Sequence, residues 1–420
     1  MRLVFQNESR AKKRLSAALL VSGAILAMCL LGIVNGAADD SKLRNPSLKE
    51  TFKDDFLVGV AINRAQIFEQ DSLGVSIIQS QFNSISPENI LKWQFVHPEP
   101  DKYDFSGADR YVRFGEKHHM AIIGHTLVWH NQTPDWVFQD ANGKPVDRGT
   151  LLERMSNHIR TVVGRYKGRI KGWDVVNEAI ADDGSLRQTP WLKIIGKDYI
   201  EKAYQFAHEA DPQAELYYND FALENEAKRN AAIALIKDLQ KKGIHISAVG
   251  LQGHYRLDNP GLKDVEEAIL AMSTLGLKVM ITEMDVNVLP QPKQASVAEV
   301  SQRFAARPEL NPYANGLPDT VQQELARRYA GLFSIFLKHR GQISRVTFWG
   351  VADGDSWLND WPVPGRTAYP LLFDRHHAPK PAFHAVIQAA TELNAGVAAG
   401  KRIVQKASDR PDAVHEQSSN

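Results

Sequence analysis

The chain has 420 residues, 43% hydrophobic and 24% charged, with a formal net charge of +1. That is ordinary globular composition, and it points neither to nucleic acid nor to an anionic membrane surface as a partner. The single cysteine, Cys29, lies in the leading apolar segment. Once that segment is removed, disulfides, a thiolate nucleophile and cysteine metal ligands are excluded.

Arg10, Lys12, Lys13 and Arg14 precede an apolar run over 15–34 that ends in Asn35-Gly-Ala-Ala38. Basic, apolar, then small is the layout of a secretory signal, with a cut near 36–38. The run is close to the ~20 residues that span a bilayer, so an uncleaved membrane anchor through 15–34 is the rival reading. Leu26-Ala-Met-Cys29 loosely resembles a lipoprotein box, but Met28 is bulky for the position before the cysteine. The expected layout is a signal over 1–38, a polar lead-in over 39–55, one folded domain over 56–395 and a polar, disordered tail over 396–420. It implies a secreted or periplasmic monomer.

From Phe56 onward strand-like and helix-like runs alternate. Strands are expected at 56–62, 82–86, 120–129, 171–178, 214–218, 246–252, 278–283 and 345–350. Helical spacing marks 111–119, the face Met155, Ile159, Val162 and Tyr166, 200–209, the face Ala232, Leu235, Ile236 and Leu239 before Gly243, then 259–275, 325–337 and 381–394. Continuous apolar strands alternating with helices indicate a parallel sheet covered on both faces. Eight such repeats fit an α/β fold, a (β/α)8 TIM barrel forming a single domain. A doubly wound open sheet is the alternative, but no glycine-rich phosphate loop follows the first strand. The longest loop, from about Val288 to Asp319, carries five prolines and is expected to wall one side of the site.

In such a barrel the chemistry sits at the carboxyl ends of the strands. The polar residues there are Asn63; Glu88, Asn89 and Lys92; His125, Trp129, His130 and Gln132; Asn177 and Glu178; Asn219 and Asp220; Gln252 and His254; Glu283 and Asp285; Trp349; and Trp357 in the following loop. A lone Glu at a strand end is more often an ordinary surface or ion-paired residue. Clustering at the ends of at least six strands is what raises Glu178 and Glu283 together. Their strands face one another across the barrel mouth, and a protonated acid opposite an ionised carboxylate is the equipment of glycoside hydrolysis. A gap of ~5–5.5 Å lets the ionised group attack the sugar; ~6.5–9.5 Å leaves room for water and inversion. Glu283 and Asp285 project to one side of their strand. His254 between them would form an Asp-His-Glu chain that keeps Glu283 ionised and aimed. Glu178 needs its pKa raised, by apolar neighbours and by the charge of Glu283. Asn177 is placed to bond the hydroxyl next to the reacting carbon. His125, His130 and His254 could instead be zinc ligands, but no His-Glu-x-x-His or tight His-x-His spacing is present, and no metal or cofactor is expected.

These residues resemble the family 10 glycoside hydrolases, mostly endo-β-1,4-xylanases. The resemblance runs from about Phe56 to Asn394 through Ser86-Pro-Glu-Asn-Ile-Leu-Lys-Trp93, Gly124-His-Thr-Leu-Val-Trp-His130 with Gln132-Thr-Pro-Asp-Trp136, Trp173-Asp-Val-Val-Asn-Glu178, Tyr218-Asn-Asp220, Val249-Gly-Leu-Gln-Gly-His254, Ile281-Thr-Glu-Met-Asp285, Phe348-Trp-Gly-Val-Ala-Asp-Gly-Asp-Ser-Trp357, and Pro370-Leu-Leu-Phe-Asp374 with Lys380-Pro-Ala-Phe383. It implies a barrel and a retaining mechanism, with Glu178 as acid/base and Glu283 as nucleophile. It also implies that His254 and Asp285 orient the nucleophile. Glu88, Asn89, Lys92, His125, Trp129, Gln132, Asn177, Gln252, Trp349 and Trp357 would bind sugar on the non-reducing side. The sequence departs from the family pattern at Leu91, where Met is common, Asn131, where Ser is common, and Leu358, where a basic residue often follows the Trp. The implied substrate is xylan or a xylo-oligosaccharide. Another β-glycan, or carbohydrate binding without catalysis, are the alternatives.

Overall fold

The computed structural model describes residues 47–296 and 298–392. The expected signal or anchor, Cys29, the first part of the lead-in and the polar tail lie outside the described residues. No helix among the described residues is long and apolar enough to cross a membrane.

Nine strands are present among these residues: β1 (Leu57–Ile62), β2 (Ser84–Pro87), β3 (Ala121–Val128), β4 (Gly172–Asn177), β5 (Glu215–Asp220), β6 (Ala248–Leu251), β7 (His254–Arg256), β8 (Lys278–Asn287) and β9 (Ile343–Phe348). Each of β1 to β5 pairs in parallel with its successor, β6 pairs with β8, β8 with β9, and β9 returns to β1. The sheet therefore closes as an eight-stranded parallel barrel, with β7 outside the ring, and helices alternate with the strands around it. This is the (β/α)8 fold expected from the sequence. Every residue of β4 is buried, as a strand covered on both faces requires.

Local chemistry explains where the elements begin and how closely they approach. Asp147 accepts the amide of Thr150 and starts the helix Arg148–Arg165, whose buried Leu151, Met155, Ile159 and Val162 form one face. A Cβ on Gly124 would lie 2.1 Å from the indole of Trp173, so only glycine lets β3 pass under that ring. Pairing shifts between His125 and Val128, between Asp174 and Val176, and between Ile281 and Met284. Such irregularities re-aim side chains, and these three fall next to the polar strand ends, while a fourth, between Val279 and Met280, lies at the other end of β8.

Several elements differ from the sequence expectation, among them the unforeseen helices Arg64–Ile67, Ser72–Gln81 and Pro190–Ile195. β8 continues to Asn287 because it gains β7 as a partner, with His254 opposite Asp285. The helix Ser106–Lys117 starts five residues before Tyr111, with Asp104 accepting the Ser106 amide. The lead-in is not wholly polar packaging: Leu48–Thr51 is helical, Leu48 and Phe52 are fully buried, and Phe52 lies 5.2 Å from both Phe56 and Phe333. Truncating an aromatic in such a cluster typically costs about 3–5 kcal/mol. Phe52→Ala is therefore expected to lower unfolding free energy by that amount in a urea titration. A loss below about 1 kcal/mol would mean that the segment does not belong to the cooperative core.

Candidate active site

Glu178 follows the last residue of β4 and has a φ of 59°, a left-handed conformation that costs a non-glycine residue roughly 1–3 kcal/mol. Its main chain is held on both sides. The Glu178 amide donates to the Asn219 carbonyl at 2.9 Å, and Arg187 Nε donates to the Glu178 carbonyl at 3.1 Å. The side chain is buried beneath three donors. Trp129 Nε1 reaches Oε2 at 2.8 Å, while Asn177 Nδ2 and Gln252 Nε2 each reach Oε1 at 3.1 Å. Burial pushes the carboxyl above its usual range. The charge of His130 opposes this, and the charge of Asp220 adds to it. The sequence led us to expect that second push from Glu283; in the structure it comes from Asp220. It is fully buried, held by Lys228 Nζ at 2.9 Å and the Tyr218 hydroxyl at 2.6 Å.

Glu283, in β8, meets the opposite conditions. Asn219 Nδ2 donates to its Oε1 at 2.6 Å and His254 Nε2 lies 3.2 Å from its Oε2. His254 Nδ1 in turn lies 3.1 Å from Asp285 Oδ2, which also accepts from Trp357 Nε1 at 2.7 Å. Burial alone would discharge His254, but the carboxylates of Asp285 and Glu283 outweigh it and push its pKa up to about 10. The imidazolium thus sits charged between the two carboxylates, its Nε2 donating to Glu283 and its Nδ1 ion-paired with Asp285. Burial also pushes Glu283 up, yet the hydrogen bond from His254 and the nearby imidazole charges bring it below the ordinary carboxylate range. The Asp-His-Glu chain expected from spacing is present. Replacing His254 with Met should raise the Glu283 pKa, so the acidic limb of the kcat/KM pH profile should move to higher pH by roughly 1–3 units. An unmoved limb would make His254 a space-filling residue only.

The two carboxylates are joined through amides. Asn219 Nδ2 also donates to Asn177 Oδ1 at 2.9 Å, and Asn177 donates to Glu178. Both face one cavity, lined further by Lys92, His125, Trp129, Asn177, Gln252, His254, Trp349 and Trp357. Ten of the fourteen expected site residues are therefore brought together. Asp285 stands behind His254. Asn89 accepts from Lys92 Nζ and Gln132 Nε2, each at 3.1 Å, so Asn89 and Gln132 support the lysine from outside the cavity. Glu88 lies near Lys92; burial raises its pKa and the lysine charge opposes that. Lys92 is itself buried, 5.0 Å from the Trp129 ring and 6.0 Å from that of Trp349. Burial lowers its pKa, while Glu88, Glu283 and Glu178 act to retain its charge. Leu358 is buried and lines a neighbouring cleft.

Several residues of the site carried no assigned role in the sequence. Asp174 lies 2.9 Å from His125 Nδ1 and so orients it; its signal was an acid inside an otherwise apolar strand. Asn219 bridges both glutamates and takes a hydrogen bond from Thr282 at 2.6 Å. Ala298 and Val300 come from the long loop after β8, which walls the site as expected. Arg187 and Glu299, paired at 2.8 Å, lie in loops where no periodic pattern marks them. Among the described residues the grouping with metal-ligand spacing is Asp71, Asp355 and His377. Its carboxylate oxygens are already engaged by Asn63, Gln66 and main-chain amides, which makes it a capping network.

Comparison with known proteins agrees with this geometry. A model of Glycosyl hydrolase family 10 matches residues 47–389, which takes in the amino-terminal helix. The chain is 50% identical over 343 residues to the endo-1,4-beta-xylanase A of Xylanibacter ruminicola, covering 82% of this chain and 93% of that one. It is 41% identical over 372 residues to the beta-1,4-xylanase of Dictyoglomus thermophilum, covering 88% and 98%. The solved structure of a GH10 endoxylanase retrieved from a sugarcane soil metagenome aligns with a TM-score of 0.79 at 45% identity, covering 81% and 99%. An acid and a carboxylate at facing strand ends of a (β/α)8 barrel, together with these matches along most of the chain, establish that this protein is a glycoside hydrolase belonging to glycosyl hydrolase family 10.

Proposed function

We propose that the chain is an endo-1,4-β-xylanase that cleaves internal β-1,4-xylosidic bonds with retention of configuration. The observation that carries this reading is the opposite tuning of two carboxyl groups on one cavity, Glu178 above its ordinary pKa and Glu283 below. A protonated Glu178 donates to the glycosidic oxygen as the bond to the leaving chain breaks. Glu283, ionised and fixed on both oxygens by Asn219 and His254, attacks the anomeric carbon and forms a glycosyl-enzyme ester. Glu178, now a carboxylate, takes a proton from water as that water attacks the ester. Asn177, whose oxygen is held by Asn219 and Gln252, keeps its amide hydrogens toward Glu178 and the hydroxyl beside the reacting carbon.

Xylan is the proposed substrate on the strength of relatives named as xylanases. The rings of Trp129, Trp349 and Trp357 offer apolar faces for sugars, and Lys92, His125 and Gln252 offer donors. The leader sequence supports a secreted or periplasmic location. Release of reducing ends from xylan, with cellulose as control, tests the reading. Fragments shortening progressively from long to short are expected. Activity confined to a mixed-linkage glucan would move the substrate, and no release from any β-glycan would overturn the proposal.

A further inference from the structure

The loop after β8 does more than wall the site. Ala298 and Val300 reach the cavity between the carboxylates and leave about 40 Å³ of free space. That is room for a few water molecules, so the strap narrows the site. Two adjoining clefts, which meet each other along His254 to Asn259 and touch this cavity at His254, hold about 320 and 370 Å³. Glu299, between the two intruding side chains, is tied to both walls. Its carbonyl accepts from Trp361 Nε1 at 3.1 Å, and nearby the Phe304 amide donates to the Pro362 carbonyl at 2.9 Å, both on the loop after β9. Its carboxylate accepts from Arg187 Nη1 at 2.8 Å and lies 3.9 Å from His130 Nε2, on the loops after β4 and β3. His130, then Ser301 and Arg187, hold that carboxyl down at about 2 against the effect of burial. The latch is therefore charged at any ordinary working pH.

We propose that Glu299 is a specificity-determining residue, latching a strap across the cleft and so setting the balance between attack on internal segments of a long chain and attack on short substrates. The inference rests on the endo-xylanase reading above. A short substrate slides in along the cleft from an open end, and only two small side chains must yield. An internal segment continues in both directions and must enter from above, which requires the Glu299–Arg187 pair to open.

The test compares wild type with Glu299→Ala and Glu299→Gln. Each is assayed on long linear xylan and on an aryl β-xylobioside, and each is digested with trypsin, which can cut the strap at the exposed Lys293 and Arg303. Glu299→Ala should raise the ratio of kcat/KM on xylan to that on the aryl glycoside about fivefold, the scale of one partly exposed ion pair. It should also speed strap cleavage severalfold. Glu299→Gln, which can still accept from Arg187, should fall between. Unchanged ratio and unchanged cleavage in both variants would overturn the latch. If wild type failed to act on xylan, the functional reading would fall instead. The trypsin arm would still decide, with faster cutting in Glu299→Ala supporting the latch and equal rates refuting it.

Discussion

Replacing Glu283 with Ala lowers turnover of every xylan substrate by about five orders of magnitude, on the scale of removing the nucleophile from a covalent mechanism. Added azide then restores part of the rate and gives a glycosyl azide of inverted configuration, because the small anion occupies the space of the lost carboxylate and attacks from the same side. The fold should survive. His254 keeps Asp285 as a partner, and Asn219 keeps Asn177 and Thr282. The measurement is turnover with and without azide, with the product anomer read by NMR and folding checked by thermal melt. A rescued product with the wild-type configuration, or a variant retaining a few per cent of activity, would contradict the nucleophile assignment.

Glu178→Ala is expected to separate substrates by leaving group. On xylan and xylo-oligosaccharides the departing oxygen needs a proton, and the loss should be roughly 10²–10⁴-fold, the usual worth of a positioned general acid. A dinitrophenyl glycoside departs without help, so formation of the glycosyl-enzyme should change little and its hydrolysis should become limiting. Azide, which needs no base, should then speed turnover with retained configuration, opposite to its effect on the Glu283 variant. The pH profile supplies an independent sign. Glu178 must be protonated to act as the acid, so its raised pKa sets the basic limb in wild type, and that limb should flatten in the variant. Equal losses on good and poor leaving groups, with the basic limb intact, would count against the acid role.

The barrel was legible because its strands are near-continuous apolar runs, as in 172–177 and 278–282, ending in polar residues. A glutamate after such a run is visible by position, and so is the alternation that puts Glu283 and Asp285 on one side. What stayed hidden depends on contacts between strands. Nothing local says that the Asn219 side chain reaches both Glu283 and Asn177, or that Asp174 turns inward to His125. β7 is a three-residue strand with no periodicity of its own, and it exists because β8 runs long enough to pair with it. The amino-terminal helix was hidden by its shortness; Leu48 and Phe52 find their partners far along the chain, Phe333 among them. Glu299 and Arg187 are separated by more than a hundred residues and lie in loops, where charge spacing carries no geometric meaning.

The division of labour between Glu178 and Glu283 is the central claim, and trapping the covalent intermediate tests it most directly. A 2-deoxy-2-fluoro xylobioside with a good leaving group should form the ester quickly and release it slowly, since fluorine destabilises both oxocarbenium-like transition states while the leaving group drives the first. Digestion and mass mapping should then place one disaccharide on the peptide carrying Glu283. A label on Glu178, or active enzyme that turns over without acquiring any label, would contradict the account.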